Sequence, residues 1–273
     1  MAIRLLVSDI DGTLVNHDKQ LTDATVAAVG RLRAAGIGFT VISARPMSGM
    51  RALIDRLAID LPAAAFNGGT VFRRDGTILS HDTIPATVAR GVIALAAAAC
   101  DGGAAVDTWV FADDVWYASD GDGPHTVSER VSSAQQPVTT PVPDAALDRA
   151  DKITFVSDDA PVLAALAERC RAAFGDAATI MQSQTYYLDV TAPAANKGDG
   201  VAALARAAGI DLSQIAAVGD QANDVPMLSR VALPIAMGNA PDAVKAHARV
   251  VTASNNDDGV AHAIDTQLLP ETA

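Results

Sequence analysis

The run Ile3-Arg4-Leu5-Leu6-Val7-Ser8-Asp9-Ile10-Asp11-Gly12-Thr13-Leu14-Val15 constrains the chain more tightly than any other stretch. Ile3 to Val7 is short and mostly apolar, the pattern of a buried strand in a parallel sheet. Two aspartates follow, separated by one apolar residue. Side chains alternate along a strand, so Asp9 and Asp11 face the same way for as long as the strand stays regular. Gly12 then frees the backbone to turn away. Carboxylates at the carboxyl end of a strand stand where open α/β sheets place their ligands. Like charges this close repel unless a cation or a proton intervenes. One acid can take a hard metal such as Mg2+ and also serve as nucleophile, and the other can carry a proton as general acid or base. The rival is a solvated surface turn, because turns also favour Asp and Gly.

The following segments repeat a strand-helix alternation. Thr22 or Asp23 caps a helix with Val26, Val29 and Leu32 on its apolar side, closed by Gly36. Run 37–42 predicts a second strand, Pro46 suits the first turn of a second helix, and run 63–66 predicts a third strand. This is an α/β fold with a Rossmann-like doubly wound parallel sheet. A hairpin is expected around Asp75-Gly76, and then the pattern changes. Helices are expected over 85–100 and 161–174, with short strands over 104–112, 115–118, 152–156, 179–182 and 186–190. Residues 121–143 show weak periodicity, and no element is assigned there. The parallel alternation resumes at Lys197. The expected organisation is a discontinuous catalytic core, 1–82 and 192–273, interrupted by an α+β cap domain at 83–191. Trp109, Trp116, Tyr117, Tyr186 and Tyr187 all lie in the insert and suggest a small second core there.

Half the residues are hydrophobic and 19% are charged, enough apolar material for a sizeable core. The net charge of −12 argues against nucleic acid or an anionic membrane as partner. An anionic substrate would then need a local cation or a bound metal. Cys100 and Cys170 each end an alanine-rich helical pattern without zinc-like spacing, and both are expected as buried, reduced thiols. No apolar run reaches the about 20 residues a membrane span needs, and no signal-peptide pattern opens the chain. A cytoplasmic monomer or homodimer is the expectation.

Three further stations fall where core strands end or core helices begin. Ser43 follows the second strand, where its hydroxyl can bond a phosphate oxygen or simply cap a helix. Lys197 opens a helix, an end that favours anions, so the ammonium is misplaced there unless it faces a phosphate or the Asp9 carboxylate. A solvated lysine is the alternative. Val218-Gly219-Asp220-Gln221-Ala222-Asn223-Asp224 puts two acids and an amide directly after an apolar strand. Asp220 can complete a Mg2+ site with Asp9 and the main-chain carbonyl of Asp11. Asp224 can bind that metal through water or orient its ligands.

In order and context these stations resemble the four motifs of the haloacid dehalogenase-like phosphatases: Asp9 to Thr13, then Ser43, then Lys197, then Gly219-Asp220 with Asn223-Asp224. Ala236-Met237-Gly238-Asn239-Ala240 and the run Ala253 to Val260 are similar to the Cof-type subfamily, whose cap lies between motifs II and III. One departure is Ser43-Ala44-Arg45, where many relatives have Thr-Gly-Arg. The resemblance implies that Asp9 attacks phosphorus and forms an aspartyl-phosphate. Asp11 then protonates the leaving alcohol and later activates water, while Mg2+, Ser43 and Lys197 neutralise charge. Arg45, Asn67 and Asn223, and less directly Asn239, are expected substrate contacts, and the insert is expected to read the leaving group. The expected activity is a Mg2+-dependent phosphatase of small phosphorylated metabolites such as sugar phosphates. A hexose-phosphate phosphomutase is the alternative, because phosphomannomutases share this kind of core and cap. A non-enzymatic phospho-acceptor is disfavoured by Asp11 and by the large insert.

Overall fold

The computed structural model describes residues 2–269. The first arm of the chain runs β1 (Leu5–Ser8), α1 (Asp23–Ala34), β2 (Gly38–Val41), α2 (Ser48–Arg56), β3 (Ala63–Ala65), β4 (Thr70–Phe72) and β5 (Ile78–His81). Thr22 caps α1 by accepting a hydrogen bond from the Thr25 amide. The inserted stretch runs α3 (Ala86–Asp101), β6 (Asp107–Ala112), β7 (Val115–Ala118), α4 (Pro124–Ser133), α5 (Asp144–Leu147), β8 (Ala150–Val156), α6 (Ala160–Phe174), β9 (Thr179–Gln184) and β10 (Tyr187–Thr191). The return arm runs α7 (Lys197–Ala208), β11 (Ile215–Gly219), α8 (Val225–Leu228), β12 (Leu233–Ala236), α9 (Asp242–Lys245), β13 (Val250–Val251) and α10 (Gly259–Ala263).

The chain divides into two compact units, one from the two outer arms (through His81 and from Asn196) and one from Asp82–Ala195. In the first unit, five parallel strands lie in the order β13-β12-β11-β1-β2. Leu5 pairs with Gly38 on one side and Ile215 on the other, so β1 is interior. Connections leave β1 and β11 in opposite directions, which makes their carboxyl ends the crevice where such sheets bind ligands. Leu5, Val7, Ile215 and Ala217 alternate onto the face packed by Val201 and Leu204 of α7 and Met227 and Leu228 of α8. The third expected strand departs from the parallel pattern. β3 pairs antiparallel with β4 in a sheet of order β3-β4-β5, and a single parallel bridge, Ile42 to Ala64, joins it to the end of β2.

The second unit is a five-stranded antiparallel sheet, β7-β6-β8-β10-β9. Val110, Ile153, Phe155, Leu188 and Val190 face a core shared with Val88 and Val92 of α3 and Leu163 and Leu166 of α6. The intervening residues include Trp109, which is buried and edge-on to Trp116 and Tyr187 at 5.2 Å each. The tryptophans therefore belong to a packed core. Helix α4 fills part of the stretch left unassigned from the sequence. Its buried residues are Thr126 and Ser133, while Val127 and Val131 are exposed, so its apolar pattern points the wrong way for recognition by periodicity. One thiol expectation is also corrected: Cys170 is buried, but Cys100 is exposed. Among the described residues, no helix is long and apolar enough to cross a membrane.

Candidate active site

Strand β1 ends at Ser8, but the ladder continues for one more bond, from the Asp9 amide to the Val218 carbonyl at 3.0 Å. Asp9 is thus held at the carboxyl edge of the sheet, beside the end of β11. The chain then curls, with the amides of Thr13, Leu14 and Val15 all donating to the Ile10 carbonyl. Gly12 sits at φ +81°, and a Cβ there would lie 2.4 Å from the Asp220 carboxylate. Only glycine lets the two loops approach this closely.

Four charged side chains meet in this pocket, each no more than 5% exposed. Lys197, the first residue of α7, places Nζ 2.5 Å from Asp9 Oδ1 and 2.5 Å from Asp224 Oδ1. The other Asp224 oxygen accepts the main-chain amides of Asp220 and Gln221, at 2.8 and 2.9 Å. Asp220 accepts the Thr13 hydroxyl on Oδ1 at 2.8 Å, and on Oδ2 the Gln221 side-chain amide at 3.1 Å. Ligand oxygens of Asp9, Asp220 and Asp224 lie within 4.8 Å of one another. Burial pushes the Asp9 carboxyl up to about 7, and the neighbouring Asp224 and Asp220 add to the effect against the pull of Lys197. Burial, with Asp224, also raises Asp220. Burial works against the Lys197 charge as well, but Asp224 and Asp9 outweigh it and hold the ammonium above its ordinary range. Three carboxylates against one ammonium leave two formal negative charges, and every donor is oxygen. That donor set fits a hard divalent cation such as Mg2+.

Asp11 has separate partners. Arg45 grips it with a two-pronged pair, Nε to Oδ2 and Nη2 to Oδ1, both at 2.7 Å. Lys19 adds a third bond, Nζ to Oδ1 at 2.9 Å. Burial works against this charge too, yet the bonds from Arg45 and Lys19 bring the carboxyl below its ordinary range. The remaining Arg45 prong donates to the Gly49 carbonyl at 3.2 Å. Ser43 is buried, and its Oγ accepts the Arg45 amide at 3.2 Å, which leaves its own O–H free to donate elsewhere.

Asn67 follows β3 in a turn where Phe66, Asn67 and Gly68 all have positive φ, at 49°, 57° and 104°. The Asn67 amide donates to the Ser43 carbonyl at 2.7 Å, and its side-chain oxygen accepts Asn223 Nδ2 at 3.2 Å. A Cβ on Gly68 would lie 2.5 Å from the Gly200 Cα, so two glycines bring this turn against the start of α7. Asn239 donates to the Gly12 carbonyl at 2.9 Å and approaches Asp220 Oδ2 at 3.4 Å. The expected residues therefore fall into three linked groups: Asp9, Lys197, Asp220 and Asp224; Asp11, Arg45 and Ser43; and Asn67 with Asn223. Lys19 and Gln221 escaped sequence reasoning. A lysine in a polar loop carries no local signal of its partner.

The model of the haloacid dehalogenase-like hydrolases matches residues 6–264. A protein of Streptococcus pyogenes serotype M6 that bears the name of a phosphatase is 30% identical, over 97% of this chain and 98% of its own. An HMP-PP phosphatase of Escherichia fergusonii is 30% identical, over 89% of this chain and 87% of its own. The crystal structure of a haloacid dehalogenase-like hydrolase from Bacteroides thetaiotaomicron superposes with a TM-score of 0.86 at 22% identity. It covers 96% of this chain and 98% of that one, and shows the shared fold. The chain belongs to the haloacid dehalogenase-like hydrolases, in their Cof-type branch. It is a phosphatase of that family.

Proposed function

We propose that the protein is a Mg2+-dependent phosphatase of small phosphorylated metabolites that works through an aspartyl-phosphate on Asp9. The observation that carries this reading is the placement of Asp9: buried at the carboxyl edge of β1, with Lys197 2.5 Å away and Asp220 and Asp224 beside it. A carboxylate so placed has one oxygen committed to the ammonium and the other available to attack phosphorus. Lys197 stays protonated among three acids and can offset the charge of the transferring group. Asp9, Asp220 and the main-chain carbonyl of Asp11 would hold Mg2+. When bound, the metal supplies Lewis-acid stabilisation of the phosphoryl oxygens. Asp224 Oδ1 accepts Lys197 and its Oδ2 accepts two amides, so Asp224 orients the lysine and the Asp220 loop and can reach the metal through water.

Asp11 is the acid and base of the two half-reactions, oriented by Arg45. Arg45 directs Nε and Nη2 to Asp11 and Nη1 to the Gly49 carbonyl, which leaves two of its five N–H donors for the expected substrate contact. Ser43 offers its hydroxyl to a phosphate oxygen, and the Asn67–Asn223 pair offers amide groups to the substrate. The inserted unit is the substrate-selecting cap in this reading. The HMP-PP phosphatase among the relatives supports a small phosphorylated substrate, and sugar phosphates belong on the same list of candidates. Two cysteines without a disulfide support a cytoplasmic setting.

The test is phosphate release across sugar phosphates, nucleotides and cofactor phosphates, with and without Mg2+. Release that requires Mg2+ and disappears in Asp9→Asn is the expected result. No turnover of any member, or a variant indistinguishable from wild type, would defeat the reading. A phosphomutase would instead give an isomerised sugar phosphate without net phosphate release.

A further inference from the structure

We propose that Lys19 is a positioning residue for Asp11, held in place by the asparagines of the loops that follow β12 and β13. The inference rests on the reading of Asp11 as acid and base. Lys19 lies between β1 and α1 with φ 59°, a left-handed conformation that side-chain-bearing residues rarely adopt. Asn16 closes the turn around it. The Asn16 carbonyl accepts the Lys19 amide at 3.0 Å, and its side-chain oxygen accepts the Gln20 amide at 2.9 Å.

This turn is also tied down from elsewhere in the same unit. Asn239 donates to the Gly12 carbonyl and Asn255 donates to the Val15 carbonyl, both at 2.9 Å. Asn256 Oδ1 accepts the His17 amide at 2.9 Å, and Asp258 accepts the Thr22 hydroxyl at 2.6 Å. The ladder is itself continuous, since the Asn255 amide donates to Asn239 Oδ1 at 3.0 Å. The tethers at 12, 15, 17 and 22 bracket Lys19. The Lys19–Asp11 pair itself contributes little to stability, because the Lys19 side chain is 37% exposed.

What the tethered turn holds in place is the Lys19 ammonium against Asp11 Oδ1, and with it the orientation of that carboxylate. Each carboxylate oxygen has two in-plane lone pairs. Oδ1 accepts both Arg45 and Lys19 and is full, whereas Oδ2 accepts Arg45 alone. One lone pair, on Oδ2, is left for a proton. In the first half-reaction the Asp9 oxygen bonds to phosphorus and the ester P–O bond breaks. Its electron pair goes to the leaving oxygen, which takes the proton from Oδ2. Without Lys19, Oδ1 is freed as a competing position and the acid loses its single orientation.

The readout is the dependence of kcat/KM on the leaving group, since kcat/KM reports steps up to its departure. 4-Nitrophenoxide leaves unprotonated, whereas phenoxide, as basic as a tyrosine side chain of pKa about 10, benefits from a donated proton. Wild type, Lys19→Met, Lys19→Arg and Asn256→Ala are compared on 4-nitrophenyl phosphate and phenyl phosphate with Mg2+. In Lys19→Met and Asn256→Ala, phenyl phosphate is expected to lose about tenfold more than 4-nitrophenyl phosphate, a fraction of the 10²–10⁴ a positioned acid supplies. Lys19→Arg should recover most of that difference. Equal losses on the two esters, or no loss on either, would overturn the proposal. Lys19→Met alone decides the matter if Asn256→Ala does not fold. If wild type hydrolyses neither ester nor any member of the metabolite panel, the phosphatase reading itself fails, and the proposal with it.

Discussion

Around Asp9, three carboxylates gather near one ammonium and all four groups are nearly sealed from water; around Asp11, one carboxylate takes two cations and remains 33% exposed. The two acids are separated by a single residue, yet burial wins at the first and pairing wins at the second. Asp9 is raised toward neutrality, and Asp11 is held ionised. Like charges in a low-dielectric pocket favour protonation, whereas a fork of donors favours the anion. One strand end thus presents a carboxylate that needs a cation and another that already has two. That difference suits division into nucleophile and proton carrier, and it can be broken one partner at a time.

The largest effect should come from the inner pocket. Asp9→Asn keeps the shape of the side chain and removes the attacking oxygen, so phosphate release should fall by about 10⁴-fold or more, the scale of nucleophile deletions. Thermal unfolding of the same variant, measured without metal, should be no lower than wild type. The substitution relieves one of three crowded carboxylates. A variant that kept a tenth of the activity would remove Asp9 as nucleophile.

Lys197→Met should be next, now in stability. It deletes the ammonium that Asp9 and Asp224 share, leaving buried charge unpaired, a change that typically costs about 3–5 kcal/mol. Urea unfolding measures the loss, and Asp224→Asn in the same background should recover part of it, because the two residues are in contact. A variant as stable as wild type would mean that the pocket opens to water when the lysine is removed.

Metal addition tests the same pocket by pH. Asp9 is raised from 3.8 to about 7 in the metal-free protein, so its unfolded form ionises first as pH rises. Its contribution to stability is therefore complete below about pH 4 and is lost as pH climbs toward 7. A divalent cation competes with that proton, so the Mg2+-induced rise in Tm should be larger at pH 7.5 than at pH 5.5. At a hundredfold excess over Kd the stabilisation is about 2.7 kcal/mol. Scanning calorimetry with EDTA or Mg2+ at the two pH values measures it. Equal shifts would show that Asp9 gives up no proton on binding.

Much of the first unit was legible because its polar residues follow apolar strands directly. The alternation resumes at Lys197, where α7 opens, and Thr22 caps α1, one of the two caps the sequence offers. Partners distant in sequence left no local trace. Lys197 and Asp9 are 188 residues apart, and a lysine opening a helix pointed to Asp9 only as one of two anionic targets. Arg45 reads as a substrate contact because an arginine at a strand end shows its charge but not the carboxylate it grips. In the second unit, α4 hid behind exposed valines, and in the first, β3 gave no sign that its partner would be the antiparallel β4. Periodicity reports which face of an element is apolar, and it is silent about what that element pairs with.

The smallest effect belongs to the outer rim. Arg45→Met removes a two-pronged pair whose carboxylate is partly solvated, so water can replace much of what is lost. Stability should fall by about 1.5–2 kcal/mol, the lower part of the range for hydrogen bonds to charged groups. The pH dependence carries more information than the magnitude. Asp11 is lowered in the folded state, so its contribution is present above the unfolded value of 3.8 and is lost as pH falls through its folded value. The gap in stability between wild type and Arg45→Met should therefore be constant above about pH 5 and shrink in acid, as Asp11 takes up its proton in both. Urea midpoints at pH 3.5, 5 and 7 measure that gap. A gap that stays the same at all three values would mean that Arg45 serves the fold through its Gly49 bond and its packing, and that Lys19 alone keeps Asp11 ionised.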